Sequence, residues 1–257
     1  MHLRYSQRVK LFPIMPDTPI QHVALLIAMQ DEAMPLIRRL GLADKGLLSS
    51  PMPMRWYDGA VGSLRVDVIV LGADRRFGID CVGTQPAAVA AHIIFDKLDP
   101  DLLINAGTCG GFIKRGGAIG KVYLTGGPFV FHDRRIPLPA FEPYAAGNYE
   151  LCDVSLWADA LGLEQGTVST GNSLDMNDDD AQRIECAQTV AKDMEAAAIA
   201  WVADQHEKPL CAVKAVTDLV DGKHPTHEEF ERHLHTASEA LSETLVALLN
   251  HLTEATP

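Results

Sequence analysis

Regular patterning begins at "HVALLIAM" (22–29), an uninterrupted apolar run of strand length. In the "DEAMPLIRRLGL" that follows, apolar residues recur at helical spacing, Pro35 falls in the first turn and Gly41 provides a stop. The alternation repeats along the chain. "LRVDVIVLG" (64–72) reads as a strand, "QPAAVAAHIIFDKL" (85–98) as a helix opened by Pro86, and "DLLINAG" (101–107) as a second buried strand. "PLCAVKAVTD" (209–218) is another, preceded by a helix over 193–206. "THEEFERHLHTASEALSETLVALLNHL" (226–252) predicts a long amphipathic helix starting at Thr226, with Glu229 placed for a capping box. Apolar strands alternating with helices imply an α/β protein, its mostly parallel sheet covered on both faces. Residues 1–20, basic and carrying three prolines, read as a loose N-terminal arm, which leaves 21–257 as one domain.

In such a sheet ligands sit at the carboxyl ends of the strands. Applied here, that rule collects Met29 to Glu32 after the first strand, the glycine-rich "NAGTCGG" (105–111) after the middle one and "TDLVDG" (217–222) after the late one. The opening turn of the 193–206 helix reaches the same cleft, so that Glu32, Glu195 and Asp218 converge. "NAGTCGG" has neither the spacing of a dinucleotide fingerprint nor the Gly-Lys-Ser/Thr of a phosphate loop; it reads as a close approach of backbone to a small ligand or simply as a tight turn. Glu32 occupies a helix start that would otherwise attract an anion, where a carboxylate repels phosphate and can take a proton from water. Asp218 ends a strand too apolar to lie on the surface, so burial should raise its pKa, as suits a general acid; Asp221 competes for the role from what looks like an exposed turn. Glu195 opens the helix of "AKDMEAAAIAW" (191–201), among residues that pack on most sides. First-turn acids also complement a helix dipole, and spacing alone does not separate the two readings for Glu32 or Glu195.

Charge and cysteine usage narrow the field of partners. A formal net charge of −12 excludes sequence-independent nucleic-acid binding, which needs clustered basic residues, and favours small molecules. No apolar run is long enough to cross a bilayer. Five cysteines without a Cys-x-x-Cys pair or a signal peptide fit a reduced cytoplasmic enzyme. His224, His227, His233 and His235 match no zinc spacing and read as solvated surface.

Six separated motifs, "AMQDE", "INAGTCGG", "FHDRRIP", "STGNSLDM", "KDMEAAAIA" and "KAVTDLVDG", taken in order from about residue 20 onward, resemble those of the 5′-methylthioadenosine nucleosidases, and especially their plant-type branch, within the purine nucleoside phosphorylase superfamily. The resemblance implies a three-layer α/β/α sandwich around a mixed, partly barrel-like sheet. It implies hydrolysis of the N-glycosidic bond of 5′-methylthioadenosine to adenine and 5-methylthioribose in methionine salvage, without metal or organic cofactor, with S-adenosylhomocysteine left open as a poorer second substrate. Carried over position by position, it makes Glu32 the base that activates water and Asp218 the acid that protonates adenine. Glu195 would hold the ribose hydroxyls, Met194 would pack on the ribose, and Met29 would line the sugar side. Thr108 and Lys214 would position the water, and Leu174 would belong to the adenine pocket. Two departures stand out: Lys214 replaces an Arg of bacterial relatives, and Asn172 stands where an Asp is common.

The rival readings are a phosphorylase of the same fold, with Arg75 and Arg76 as phosphate ligands, and a non-catalytic nucleoside-binding protein. Relatives complete the 5′-alkylthio pocket from a second subunit. The Pro- and aromatic-rich "IPLPAFEPY" (136–144) accordingly suggests a homodimer, with a lid over the chain's own site as the alternative.

Overall fold

Successive side chains of the strand His22–Ile27 go to opposite faces, as a pleated strand requires, and both faces are apolar. Val23, Leu25 and Ile27 enter one core layer, while Ala24 and Leu26 enter the other. A strand buried on both sides demands helices above and below it. The computed structural model, which describes residues 19–254, supplies them.

In chain order the elements are β1 (His22–Ile27), α1 (Gln30–Leu40), β2 (Ala43–Leu47), β3 (Arg55–Val61), β4 (Leu64–Val70), α2 (Thr84–Lys97), β5 (Leu102–Gly111), β6 (Val122–Thr125) and β7 (Phe129–Phe131). Then come α3 (Glu142–Ala146), β8 (Gly147–Tyr149), α4 (Ser155–Leu161), β9 (Thr167–Thr170), α5 (Asp178–Cys186), β10 (Thr189–Asp193), α6 (Ala196–Gln205), β11 (Leu210–Leu219) and α7 (Thr226–Glu254). The strands form one sheet in the order β2-β3-β4-β1-β5-β10-β9-β7-β8, with β11 paired to β5 and to β6.

On one face lie α1, α4 and α7, which contribute Leu36, Trp157, Leu241 and Leu245 to the core. The other face is covered by α2 and α6, whose buried positions are largely alanine and let both helices lie close to the strands. The architecture is thus the expected three-layer α/β/α sandwich.

The sheet is more mixed than the apolar runs suggest. Parallel pairings join β1 to β4 and β5, β11 to β5, and β9 to β10 and β7. Antiparallel ones join β2 to β3, β3 to β4, β10 to β5, β11 to β6 and β7 to β8. The antiparallel members include short strands such as β2, which is largely exposed, and β8, which is half-buried; neither carries a long apolar run to announce it.

Two further expectations change. "NAGTCGG" is not a loop after the middle strand, because β5 runs on through Gly111. Its first residue, Asn105, lies between β1 and β11, and its last two, Gly110 and Gly111, between β10 and β11. Pro35 lies beyond the first turn, inside α1, while Gly41 does end that helix in the left-handed conformation. Of the expected arm, residues 1–18 fall outside the described residues, and Ile20 packs into the core.

Because Leu245 is fully buried on α7 among residues of the sheet, replacing it by Ala should cost about 2–5 kcal/mol of folding stability. Urea unfolding should show a lower midpoint with an unchanged slope.

Candidate active site

The carboxyl ends of β1, β5 and β11 and the β10–α6 junction enclose a cavity of about 340 Å³. Met29, Glu32, Thr108, Leu174, Met194, Glu195 and Asp218 all line it. Of the expected site residues only Lys214 does not.

Glu32 stands in the first turn of α1, with its carboxylate folded back over the helix start and accepting from the Met29 N–H at 3.3 Å. Its other oxygen accepts from both the N–H and the hydroxyl of Thr108, at 2.8 and 2.5 Å. Gly107 lies directly against this carboxylate: a Cβ there would stand 3.4 Å from Oε2, in ordinary van der Waals contact. The helix terminus that would otherwise offer its N–H groups to an anion is therefore occupied by the protein's own charge.

Asp218 owes its orientation to an irregularity in β11. Val216 pairs with Cys109 and Asp218 with Gly110, so Thr217 is an extra residue in the ladder. Such a bulge re-aims side chains next to it, and here both Thr217 and Asp218 turn to the cavity. Gly110 opposite leaves the room: a Cβ at that position would lie 2.8 Å from Oδ2 of Asp218. The Thr217 hydroxyl donates to Oδ1 at 2.8 Å. Burial raises the Asp218 carboxyl above the ordinary range, against the pull of the Thr217 hydroxyl and the Lys192 ammonium. Asp221 is exposed and accepts from the N–H groups of Ile113 and Lys114, which makes it a loop fastener away from the cavity.

Glu195 precedes its helix rather than standing in the first turn, and its side chain makes no cap bond. Asp193 caps instead, accepting from the Ala196 N–H at 2.9 Å. Glu195 is thereby left to face the cavity, where the Gly83 N–H donates to it at 2.9 Å. Burial, then the neighbouring Asp193, pushes its carboxyl up to about 7 despite the attraction of Lys214.

Lys214 lies behind the wall, 1% exposed, with Nζ 2.8 Å from Asp193. Burial opposes its charge, but Asp193 and Glu195 hold its pKa above the usual lysine value. It therefore reaches the site through those two acids.

Several wall residues escape a reading of the sequence. Lys192 is nearly buried, lines the cavity and donates to the main-chain carbonyls of Ser173 and Leu174, each at 2.9 Å, so it fixes the segment that presents Leu174. Burial pushes its ammonium down, against the attraction of Asp218 and Asp193. Its alternation with Asp193 along β10 was the available signal, but a lone Lys beside an Asp looks like any surface pair. Phe230 enters from α7, a helix whose amphipathic pattern points to the core and not to a ligand.

Asn172 does not line the cavity. It joins Thr84 at the start of α2 to Asp133, beside a second hollow that includes Trp201. Arg75 borders a separate hollow, and Arg76 is paired with Asp74 at 3.2 Å. Among the described residues no arginine lines the cavity.

The family model of the Phosphorylase superfamily matches residues 22–250. A 5′-methylthioadenosine nucleosidase of Arabidopsis thaliana is 43% identical over 236 residues, covering 91% of this chain and 88% of its own. A 5′-methylthioadenosine/S-adenosylhomocysteine nucleosidase of the same organism is 37% identical, covering 91% and 92%. The solved apo structure of Arabidopsis thaliana 5′-methylthioadenosine nucleosidase superposes with a TM-score of 0.88 at 43% identity, over 91% of this chain and 96% of that one. A futalosine hydrolase of Helicobacter pylori, at 16% identity and a TM-score of 0.75, shares the fold alone. The chain belongs to the phosphorylase superfamily and, within it, to the family of the 5′-methylthioadenosine nucleosidases.

Proposed function

We propose that the protein hydrolyses the N-glycosidic bond of 5′-methylthioadenosine, releasing adenine and 5-methylthioribose for methionine salvage. The observation that carries this reading over phosphorolysis is the Glu32 carboxylate held by Thr108 at the start of α1. Among the described residues, a phosphate nucleophile would meet that charge with no arginine lining the cavity and with a lining ammonium, Lys192, that is engaged by two carbonyls. Water suffers no such repulsion.

In this reading Glu32 takes a proton from water as it attacks the anomeric carbon. Asp218, kept protonated by burial, gives its proton to N7 of the leaving adenine and accepts from the 6-amino group, which favours 6-aminopurines over 6-oxopurines. Glu195 accepts from the ribose 2′- and 3′-hydroxyls. Its carboxyl, raised to about 7, should fall when those hydroxyls donate to it, because donation favours the charged form. The oxocarbenium-like transition state is then flanked by negative charge in a dry pocket. Met29 and Met194 pack on the sugar, Leu174 on the base, and Lys214 holds Asp193 and Glu195 in place.

The same reading includes a homodimer. No residue of 136–144 lines the cavity, which argues against a lid over the chain's own site. Leu138, Phe141 and Tyr144 stand about half exposed instead, as do Val89 of α2 and Trp201 of α6. Apolar side chains set out in water in this way suit a partner subunit. All five cysteines are free, and no helix among the described residues is long and apolar enough to cross a membrane, in keeping with a cytoplasmic setting.

Product analysis in phosphate-free buffer should find free 5-methylthioribose; a sugar 1-phosphate formed only when phosphate is added would make the enzyme a phosphorylase. No turnover above background would leave a binding protein. Rates on S-adenosylhomocysteine should fall well below those on 5′-methylthioadenosine.

Asp218→Asn should bind substrate but turn over about 10²–10⁴-fold more slowly. Glu32→Gln should spare binding similarly, whereas Glu195→Gln should weaken binding and rate together. Since the acid must be protonated, the parent activity should decline as pH rises through the raised Asp218 value. Light scattering at micromolar concentration should give the mass of a dimer, and a fully active monomer would refute that part of the reading.

A further inference from the structure

The bulge that aims Asp218 leaves a backbone problem on each side of it. Thr217, the extra residue, has no partner in the ladder to β5. Next along, Leu219 directs its N–H to a side chain and not to a neighbouring strand. Buried peptide groups must find partners, and here both do so on α7. Oε2 of Glu229 accepts from the Leu219 N–H at 2.8 Å, and Nδ1 of His233 lies 3.1 Å from the Thr217 carbonyl. A carbonyl can only accept, so that nitrogen carries the proton.

Neither contact matches the expectation from sequence. Glu229 leaves the capping box to reach across to β11, and half-buried His233 is drawn out of the solvated group in which His224, His227 and His235 remain exposed. Residues 229 and 233 are four apart, one helical turn, and therefore share a face. Phe230, adjacent to Glu229, lines the cavity.

We infer that Glu229 and His233 are positioning residues, a two-point clamp by which α7 holds the backbone on either side of Asp218 and so aims its carboxyl into the cavity. The inference rests on Asp218 being the acid of the proposed reaction. Glu229 is 5% exposed, so that half of the clamp is built into the core, and His233 beside it is half-buried. Asp221, fastened to the N–H groups of Ile113 and Lys114, and Val220, whose N–H donates to the Gly111 carbonyl at 2.9 Å, secure the next stretch of chain.

A clamp made partly of charge also acts on the proton. The groups facing Asp218 are Thr217 on its own strand, Cys109 on β5, Lys192 on β10, and Glu229 and His233 on α7. Burial is the largest influence and raises the Asp218 carboxyl; Glu229 raises it further, while Thr217, Lys192 and His233 lower it.

Glu229→Gln keeps an oxygen for the Leu219 N–H and removes only the charge. Its kcat at low pH should stay near that of the parent, while the alkaline limb of kcat/KM moves to lower pH. Glu229→Ala and His233→Ala remove the grip. In each, kcat for 5′-methylthioadenosine should fall about tenfold or more, toward the roughly hundredfold that a 1 Å misplacement costs, with KM changed far less. His233→Asn, whose amide nitrogen sits near the position of Nδ1, should recover most of that loss.

These variants are read beside Asp218→Asn and against thermal unfolding. An unshifted pH profile in Glu229→Gln together with parent kcat in both alanine variants, while Asp218→Asn is inactive, would overturn the clamp and leave the acid standing. Loss of kcat and binding in proportion to lost stability would reduce the contacts to structural ones and overturn it too. Near-normal turnover by Asp218→Asn would instead show that the acid assignment itself had failed.

Discussion

The constraint on which this site depends is the burial of several carboxylates in one small space. Glu32, Asp193, Glu195 and Asp218 are each less than a tenth exposed, and isolated charges so placed would be prohibitively costly. Each is offset differently. Thr108 and Met29 serve Glu32, Lys214 and Thr170 serve Asp193, the Gly83 N–H serves Glu195, and Asp218 is left with one hydroxyl and a raised pKa. Burial raises the carboxyls of both Glu195 and Asp218, and in the proposed reaction it is Asp218, held by a single hydroxyl, that carries the proton.

The sheet makes the convergence possible. β5 changes neighbours along its length and so brings β1, β10 and β11 to a common end. Its glycines matter for the space they leave. At Gly110 any side chain would strike both Asp218 and Val220, so the bulge in β11 and the glycine opposite it are two halves of one device. Departing from the site, α7 then runs along the sheet and buries Leu241, Leu245 and Leu249 in the core, so the helix start that bonds the backbone on either side of Asp218 is anchored by the packing of its whole length.

A lysine at position 214 takes its meaning from this crowding. An ammonium is a compact charge that cannot fork two bonds. Here it meets one carboxylate directly, Asp193, and acts on Glu195 through space. The second cation, Lys192, spends its hydrogen bonds on the chain that carries Leu174. Positive charge is thereby kept close enough to stabilise the acids without offering an anion a seat in the cavity.

Much of this was legible in the residues. The apolar runs marked β1, β4, β5 and β11 and the helices between them, because a strand buried on both faces must be continuously hydrophobic. The rule that ligands gather at strand ends then drew together Glu32, Glu195 and Asp218, and the burial of Asp218 followed from the run preceding it. What the chain alone did not determine were features made by contacts distant in sequence. The antiparallel short strands, the bulge at Thr217, the retreat of Lys214 behind Asp193, the entry of Phe230 and the reach of Glu229 and His233 to β11 have no local signature. Periodicity reports which face of an element is apolar, and so reveals the layers. Which polar atom meets which is decided only when those layers pack, since register and side-chain reach across tens of residues are set by the whole core at once.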